Sequence, residues 1–420
     1  MNINPKRLAE HFDILSQYGK IGENGICRPT LSRIEKETFE IVSKWMREAG
    51  MSVRIDNFGN LIGRLEGKWA NAPVLMMGSH LDSQPYGGRF DGVSGVLAGV
   101  EVAKAMTEQG IIPDVPIEVI SFCDEESWRF KKGLFGSRGI AGMLEPDELS
   151  RKDKDGVSRE QALREFGCHP EYLQESIYPP GKIGAYFELH IEQGPVLESL
   201  QQPLGIVTGI AGPSWFTITL EGFAGHAGSV PMHLRQDALL GAAEIVIAVN
   251  RIVRQEPQSS TVGTVGSLRV FPDSPNIIPE KVEFTVDLRD VDKIRRDLYE
   301  KQIKDIVAQT AKTYNLSYTI QQDMKNDPRY CTDWMMQILH DESSNMSLSC
   351  PELMSGPFHD AVIMSYLADF AMIFVRCKDG ISHNPAEFAT SEDLSLGTEL
   401  LFRAALRTIE KLTDKIVNCV

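Results

Sequence analysis

His80 and Asp82 stand two residues apart at the end of a short apolar run, Pro73 to Ser79. In an extended chain such a pair shares one face, so a ring nitrogen of His80 could bind a cation while the carboxylate fixes the ring. Asp91 comes next, with Gly87 and Gly88 before it and Gly92 after it. The glycines permit a tight turn that aims the Asp91 carboxylate into a site, or one that lets it cap the following helix. Asp124, Glu125 and Glu126 are consecutive. Three adjacent carboxylates repel one another, and either a cation neutralises them or water solvates them on a loop. His190 closes another apolar run, and His383 lies in the turn GISHNP. A hydrogen-bonded core imidazole and a solvent-facing one are the ordinary readings of those two.

The elements that must hold these residues decide between the readings. Val93 to Gln109 has helical periodicity and stops at Gly110, while Val115 to Phe122 and Ala185 to Leu189 read as buried strands. This alternation predicts an α/β layer architecture, in which chemistry gathers beyond the carboxyl ends of the strands. All five groups of candidate residues fall there. Histidines with carboxylates suit borderline metals such as Zn²⁺, Mn²⁺ or Co²⁺.

The middle of the chain is patterned differently. Trp215 to Glu221 alternates with period two, Arg235 to Arg254 is helical, and Thr261 to Val270 and Lys281 to Asp290 read as strands. Val291 to Tyr314 is helical and Leu316 to Gln321 a last strand. That β-α-β-β-α-β order is a split βαβ, ferredoxin-like two-layer sandwich, so a small α+β domain is expected inside a large α/β domain with a mixed sheet. The expected boundaries are 1–211 and 324–420 for the catalytic domain and 212–323 for an inserted lid or dimerisation domain.

A chain of 420 residues is long for one core and fits two domains. Its net charge of −15 makes nucleic acid and anionic membranes poor partners. The N-terminus lacks the apolar stretch of a signal peptide, and the apolar region Ala361 to Val375 is interrupted by Asp369 and too short to span a bilayer. Seven cysteines, at 27, 123, 168, 331, 350, 377 and 419, show no Cys-x-x-Cys pairing; with no disulfide framework, a reducing cytoplasm is expected. There is no Gly-x-Ser-x-Gly elbow for a serine hydrolase and no dinucleotide-binding glycine spacing.

The motifs GSHLDSQPYGGRFDG, the Glu125–Glu126 pair after a strand, ELHIEQGPVLE, GHAGSVPM, NIIPEKVEFTVDLR and GISHNPAE occur in this order over nearly the whole chain. On them the chain resembles the M20 metallopeptidase-like amidohydrolases, in the branch of N-carbamoyl-L-amino-acid hydrolases, β-ureidopropionases and allantoate amidohydrolases. The resemblance implies two divalent ions per subunit (Zn, Mn, Co or Ni). His80 and His190 would bind one, Glu126 and His383 the other, and Asp91 both. It further implies Glu125 as general base and Asp82 as the residue orienting His80. Gln193, His226, Asn276, Arg289 and Gly356 match substrate-contacting positions; Arg289 would clamp the substrate's carboxylate, and His226, also catalytic, would donate to the developing oxyanion from the other subunit of a homodimer. The implied substrate is a small ureido or carbamoyl compound bearing a carboxylate. The stretch Ala211 to Phe216 (AGPSWF) looks like that of bacterial carbamoylases, whereas allantoate amidohydrolases tend to carry basic residues there. A carbamoylase is therefore the first expectation and an allantoate amidohydrolase or β-ureidopropionase the second. A dipeptidase or a metal-binding homologue without catalysis comes after these. Two departures stand out: Trp128 where the family has small residues before Arg-Phe, and Pro357–Phe358 where it has Ala-Gly before His.

Overall fold

The structure is a computed structural model and describes residues 1–417. Cys419 lies outside the described residues; the other six cysteines are free thiols. Among the described residues no helix is long and apolar enough to cross a membrane. The chain forms two compact units. The larger comprises Met1–Thr208, Cys331–Leu353 and the chain from Phe358 onward; the smaller comprises Gly209–Tyr330 and Met354–Pro357.

The large unit is built on a mixed sheet. Its strands run side by side in the order Leu204–Ile210, Asp369–Val375, Ile183–Ile191, Val74–His80, Ile117–Phe122, Leu61–Leu65, Ser52–Ile55. The four from Asp369–Val375 to Ile117–Phe122 are parallel. Nearly every residue of those four is buried, as sheets covered on both faces require. The helices Val93–Glu108 and Ser391–Val417 pack on them. Val93–Glu108 is apolar almost all round, and 13 of its residues are buried. Because the four strands are parallel, their carboxyl ends share one edge. His80 ends one strand, Asp124 follows another by two residues, His190 is the penultimate residue of a third, and the fourth leads into the loop of His383.

The small unit has the expected order. Ser317–Lys325, Gly212–Glu221 and Lys281–Asp290 are antiparallel neighbours, and Val262–Thr264 and Leu268–Phe271 both pair with the last. Burial alternates strictly along Lys281–Asp290, so one face carries Val282, Phe284, Val286 and Leu288 into a core shared with the helices Ala238–Val253 and Lys293–Tyr314. The stretch expected as one strand from Thr261 to Val270 is two pieces. The break falls at Val265–Ser267, where Gly266 brings no side chain to the ladder, and Thr285 N–H still donates to Ser267 O at 3.1 Å.

Candidate metal centre

Asp91 is the centre of the arrangement. Its turn does not cap the following helix with a side chain: the N-cap is Gly92, and no side-chain bond closes that end. The carboxylate instead faces three imidazoles. His190 Nε2 and His80 Nε2 lie 3.1 and 3.5 Å from Oδ1, and His383 Nε2 lies 3.2 Å from Oδ2. Glu126 Oε2 is 3.4 Å from His383 Nε2. The donors therefore fall into two trios, His80–Asp91–His190 and Asp91–Glu126–His383, each with ligand atoms within 4.8 Å of one another. Asp91 is common to both and offers a different oxygen to each.

The surroundings orient the donors. His80 Nδ1 is 3.0 Å from the Asp82 carbonyl and His190 Nδ1 is 2.9 Å from the Ile191 carbonyl. A ring N–H donated to a carbonyl leaves Nε2 as the ring's acceptor, the form that binds a cation; at His190 that nitrogen accepts the Gly92 N–H at 3.1 Å. Asp82 thus orients His80 chiefly through its backbone; its carboxylate is 3.6 Å from the ring and accepts the N–H groups of Glu125 and Glu126 at 3.3 and 3.2 Å. Gly92, in the left-handed region at φ 67°, is needed for contact: a Cβ there would come within 2.4 Å of His80 Cε1. His383 and Gln193 also adopt left-handed backbone, at φ 53° and 56°, conformations that persist for such residues only where the surroundings enforce them.

The electrostatics show what the donor set lacks. Burial alone would raise the Asp91 carboxyl, yet hydrogen bonds from His190, His383 and His80 hold it well below the usual range. Burial and the Asp91 charge push Glu126 up to about 7 despite His80 and His383. Burial raises Glu125 well above the carboxylate range, with Glu126, Asp360 and Asp82 adding to the effect against His80. The Asp91 contact carries His383 to about 9, and His80 is held high because Glu125, Asp91 and Asp82 outweigh its burial. Buried carboxylates outnumber positive groups here, so protons are drawn onto the imidazoles. A divalent cation between the same donors would supply that charge, and the donor set fits one.

Of the remaining candidates, Glu125 belongs to neither trio; its Oε2 is 3.8 Å from His80 Nε2. Gln193 Nε2 donates to Asp91 Oδ2 at 2.8 Å. The small unit holds the others in two pairs. His226 sits on a short ladder opposite Ile277, and Ala227 N–H donates to Asn276 O at 2.9 Å. Arg289 Nη1 donates to Gly356 O at 2.9 Å, while Asp287 takes its Nε and Nη2 and Trp215 lies against its guanidinium, 5.3 Å away. Counting donors, one N–H remains on each terminal nitrogen, the pair a carboxylate fork needs.

Sequence reasoning missed two supports. Glu387 accepts the N–H groups of Phe90 and Asp91 at 2.8 and 3.1 Å and pins the Asp91 turn. Its signal was Gly88, where a Cβ would lie 2.1 Å from the Glu387 carboxyl carbon. His359 packs edge-on against His190, with ring centroids 4.5 Å apart; its signal was the loop in which the family has Ala-Gly before this His.

Residues 76–407 match Peptidase family M20/M25/M40. The chain is 44% identical to an N-carbamoyl-L-amino-acid amidohydrolase of Pseudomonas sp. (strain NS671), over 97% of this chain and 99% of that protein. It is 34% identical to an allantoate deiminase of Arabidopsis thaliana, over 87% and 75% respectively. A crystal structure of an amidase of the hydantoinase/carbamoylase family from Burkholderia multivorans superposes with a TM-score of 0.91 at 36% identity, covering 97% of this chain and 98% of that one.

Proposed function

The chain belongs to peptidase family M20/M25/M40, and from that premise we propose that it is an N-carbamoyl-L-amino-acid amidohydrolase. With one water it would convert an N-carbamoyl-L-amino acid to the L-amino acid, carbon dioxide and ammonia. The observation that supports metal-dependent hydrolysis is Asp91, whose two oxygens face separate histidine-containing donor trios, and the 44% identity to an N-carbamoyl-L-amino-acid amidohydrolase supports the substrate.

His80 and His190 would hold one divalent ion, Glu126 and His383 a second, and Asp91 both, with Zn²⁺, Mn²⁺, Co²⁺ or Ni²⁺ suiting the donors. Bound there, such ions bring the ionisation of water near neutrality and polarise a carbonyl oxygen. The protein's own part is proton handling and orientation. Glu125 takes a proton from the attacking water and returns it to the leaving nitrogen. Asp82 keeps the Glu125 backbone in place through its N–H. Gln193, Asn276 and Gly356 contact the substrate, and Arg289 binds its carboxylate through its remaining pair of N–H groups. His226 donates to the oxygen on which negative charge develops.

The activity is tested by offering the purified protein N-carbamoyl-L-methionine, N-carbamoyl-β-alanine and allantoate, with Mn²⁺, Co²⁺ or Zn²⁺. The first should be turned over fastest; faster allantoate turnover overturns the assignment. In the same assay Arg289→Lys should raise KM about ten- to a hundredfold, the worth of a charge-assisted hydrogen bond of about 1.5–3 kcal/mol. An unchanged KM would mean that the carboxylate is held elsewhere.

We further propose that His226 serves the site of a second copy of the chain in a two-fold dimer. The small unit supports such an association: its helix Ala238–Val253 leaves Leu240 and Ile247 exposed, 42% and 60%, a helical repeat apart on one side. Mixing inactive Glu125→Gln and His226→Ala chains tests it. In a mixed dimer the His226→Ala chain keeps its base and receives an intact His226 from its partner. Half the dimers are mixed and each has one whole site, so roughly a quarter of wild-type activity should return. No recovery after confirmed subunit exchange would place His226 in its own chain's site.

A further inference from the structure

Glu125 and Glu126 are adjacent and alike in chemistry, yet only Glu126 belongs to a donor trio. Gln84 sets them apart. Its side-chain Nε2 donates to Glu126 Oε2 at 2.8 Å and to the Glu126 carbonyl at 2.9 Å, and its backbone N–H donates to Glu126 Oε1 at 3.1 Å. Three bonds from one residue fix both oxygens of the carboxylate relative to its own backbone. The backbone N–H groups of Glu125 and Glu126 both donate to the Asp82 carboxylate, so that tie does not distinguish the two residues, whereas the bonds from Gln84 go to Glu126. The loop of Gln84 is secured in turn. Ser127 adopts a left-handed conformation, φ 64°, and the next residue, Trp128, donates its indole N–H to the Ser83 carbonyl at 2.6 Å. The loops 82–84 and 126–128 thus brace each other.

We propose that Gln84 and Trp128 are positioning residues that hold Glu126 for the cation it shares with Asp91 and His383. This rests on the metal reading of the site. An amide suits the task better than a cationic side chain. The amide donates to Oε2 while the backbone N–H of the same residue serves Oε1, and neither adds a positive group to compete with the cation. Trp128, which departs from the small residues of the resembling family, has a role here that a small side chain cannot fill.

The test is metal uptake by chelator-stripped protein, titrated with Mn²⁺ or Co²⁺ in competition with a chelating dye. Gln84→Met keeps the length of the side chain and removes its N–H groups. One of the two metal equivalents should then bind about 10–100-fold more weakly, the usual effect of losing a partner behind a ligand, while the other is unchanged. Trp128→Phe should weaken the same equivalent less. The double variant should fall short of the product of the two effects, since both act through Glu126. If Gln84→Met does not fold, Gln84→Asn, too short to reach Glu126, should show the same selective loss. Unchanged affinity for both equivalents in a folded variant, or equal weakening of both, overturns the brace. Wild-type protein that takes up no metal overturns the metal reading instead.

Discussion

Dialysed against a strong chelator, the protein will lose its amidohydrolase activity, and divalent metal added back will restore it. The expectation follows from charge. Asp91, Glu125 and Glu126 lie in a largely buried cluster whose nearest counter-charges are three imidazoles. Metal-free protein balances that charge with protons: His80 and His190 are held above their ordinary range, and His383 at about 9. A proton on Nε2 blocks the lone pair that a cation would use, so metal binding should release protons and weaken as pH falls. Elemental analysis before and after dialysis, alongside the rate, checks this. Full activity in protein shown to be free of transition metal would sink the assignment.

Glu125→Gln should lower kcat by about two to four orders of magnitude while leaving bound metal unchanged. That is the common range for removing a general acid–base group and corresponds to about 3–5 kcal/mol of barrier. The substitution keeps shape and removes only the basic oxygen. Glu125 is outside both donor trios, and burial, with Glu126, Asp360 and Asp82, favours proton uptake by its carboxyl. Glu126→Gln should do the reverse, weakening one metal equivalent first. Two variants with equal metal content and equal rates would show that the roles of base and ligand are misassigned.

The two outcomes differ because the neighbours face different ways, and no rule of spacing says which way each turns. Sequence alone placed His80, Asp91, Asp124 to Glu126, His190 and His383 at one edge of a sheet. That was legible because buried parallel strands appear as short apolar runs, and the residue after each run must emerge on the same side. The small α+β unit was legible for a like reason: the period-two alternation of Lys281–Asp290 is enforced by one dry face and one wet face. Strand continuity was less so, since Gly266 breaks Thr261–Val270 without interrupting its apolar pattern.

Tertiary structure alone decided the rest. That Asp91 gives one oxygen to His80 and His190 and the other to His383 depends on three loops meeting in space. So do the pinning of the Asp91 turn by Glu387 and the grip of Gln84 on Glu126. Arg289 could be suspected as a carboxylate clamp from its motif, but that Asp287 occupies part of its fork is a matter of strand pleat: the two lie two residues apart on one face. Periodicity records whether a residue faces core or water. The direction of a carboxylate within a site is set by partners from distant segments, and these come together only when the chain has folded.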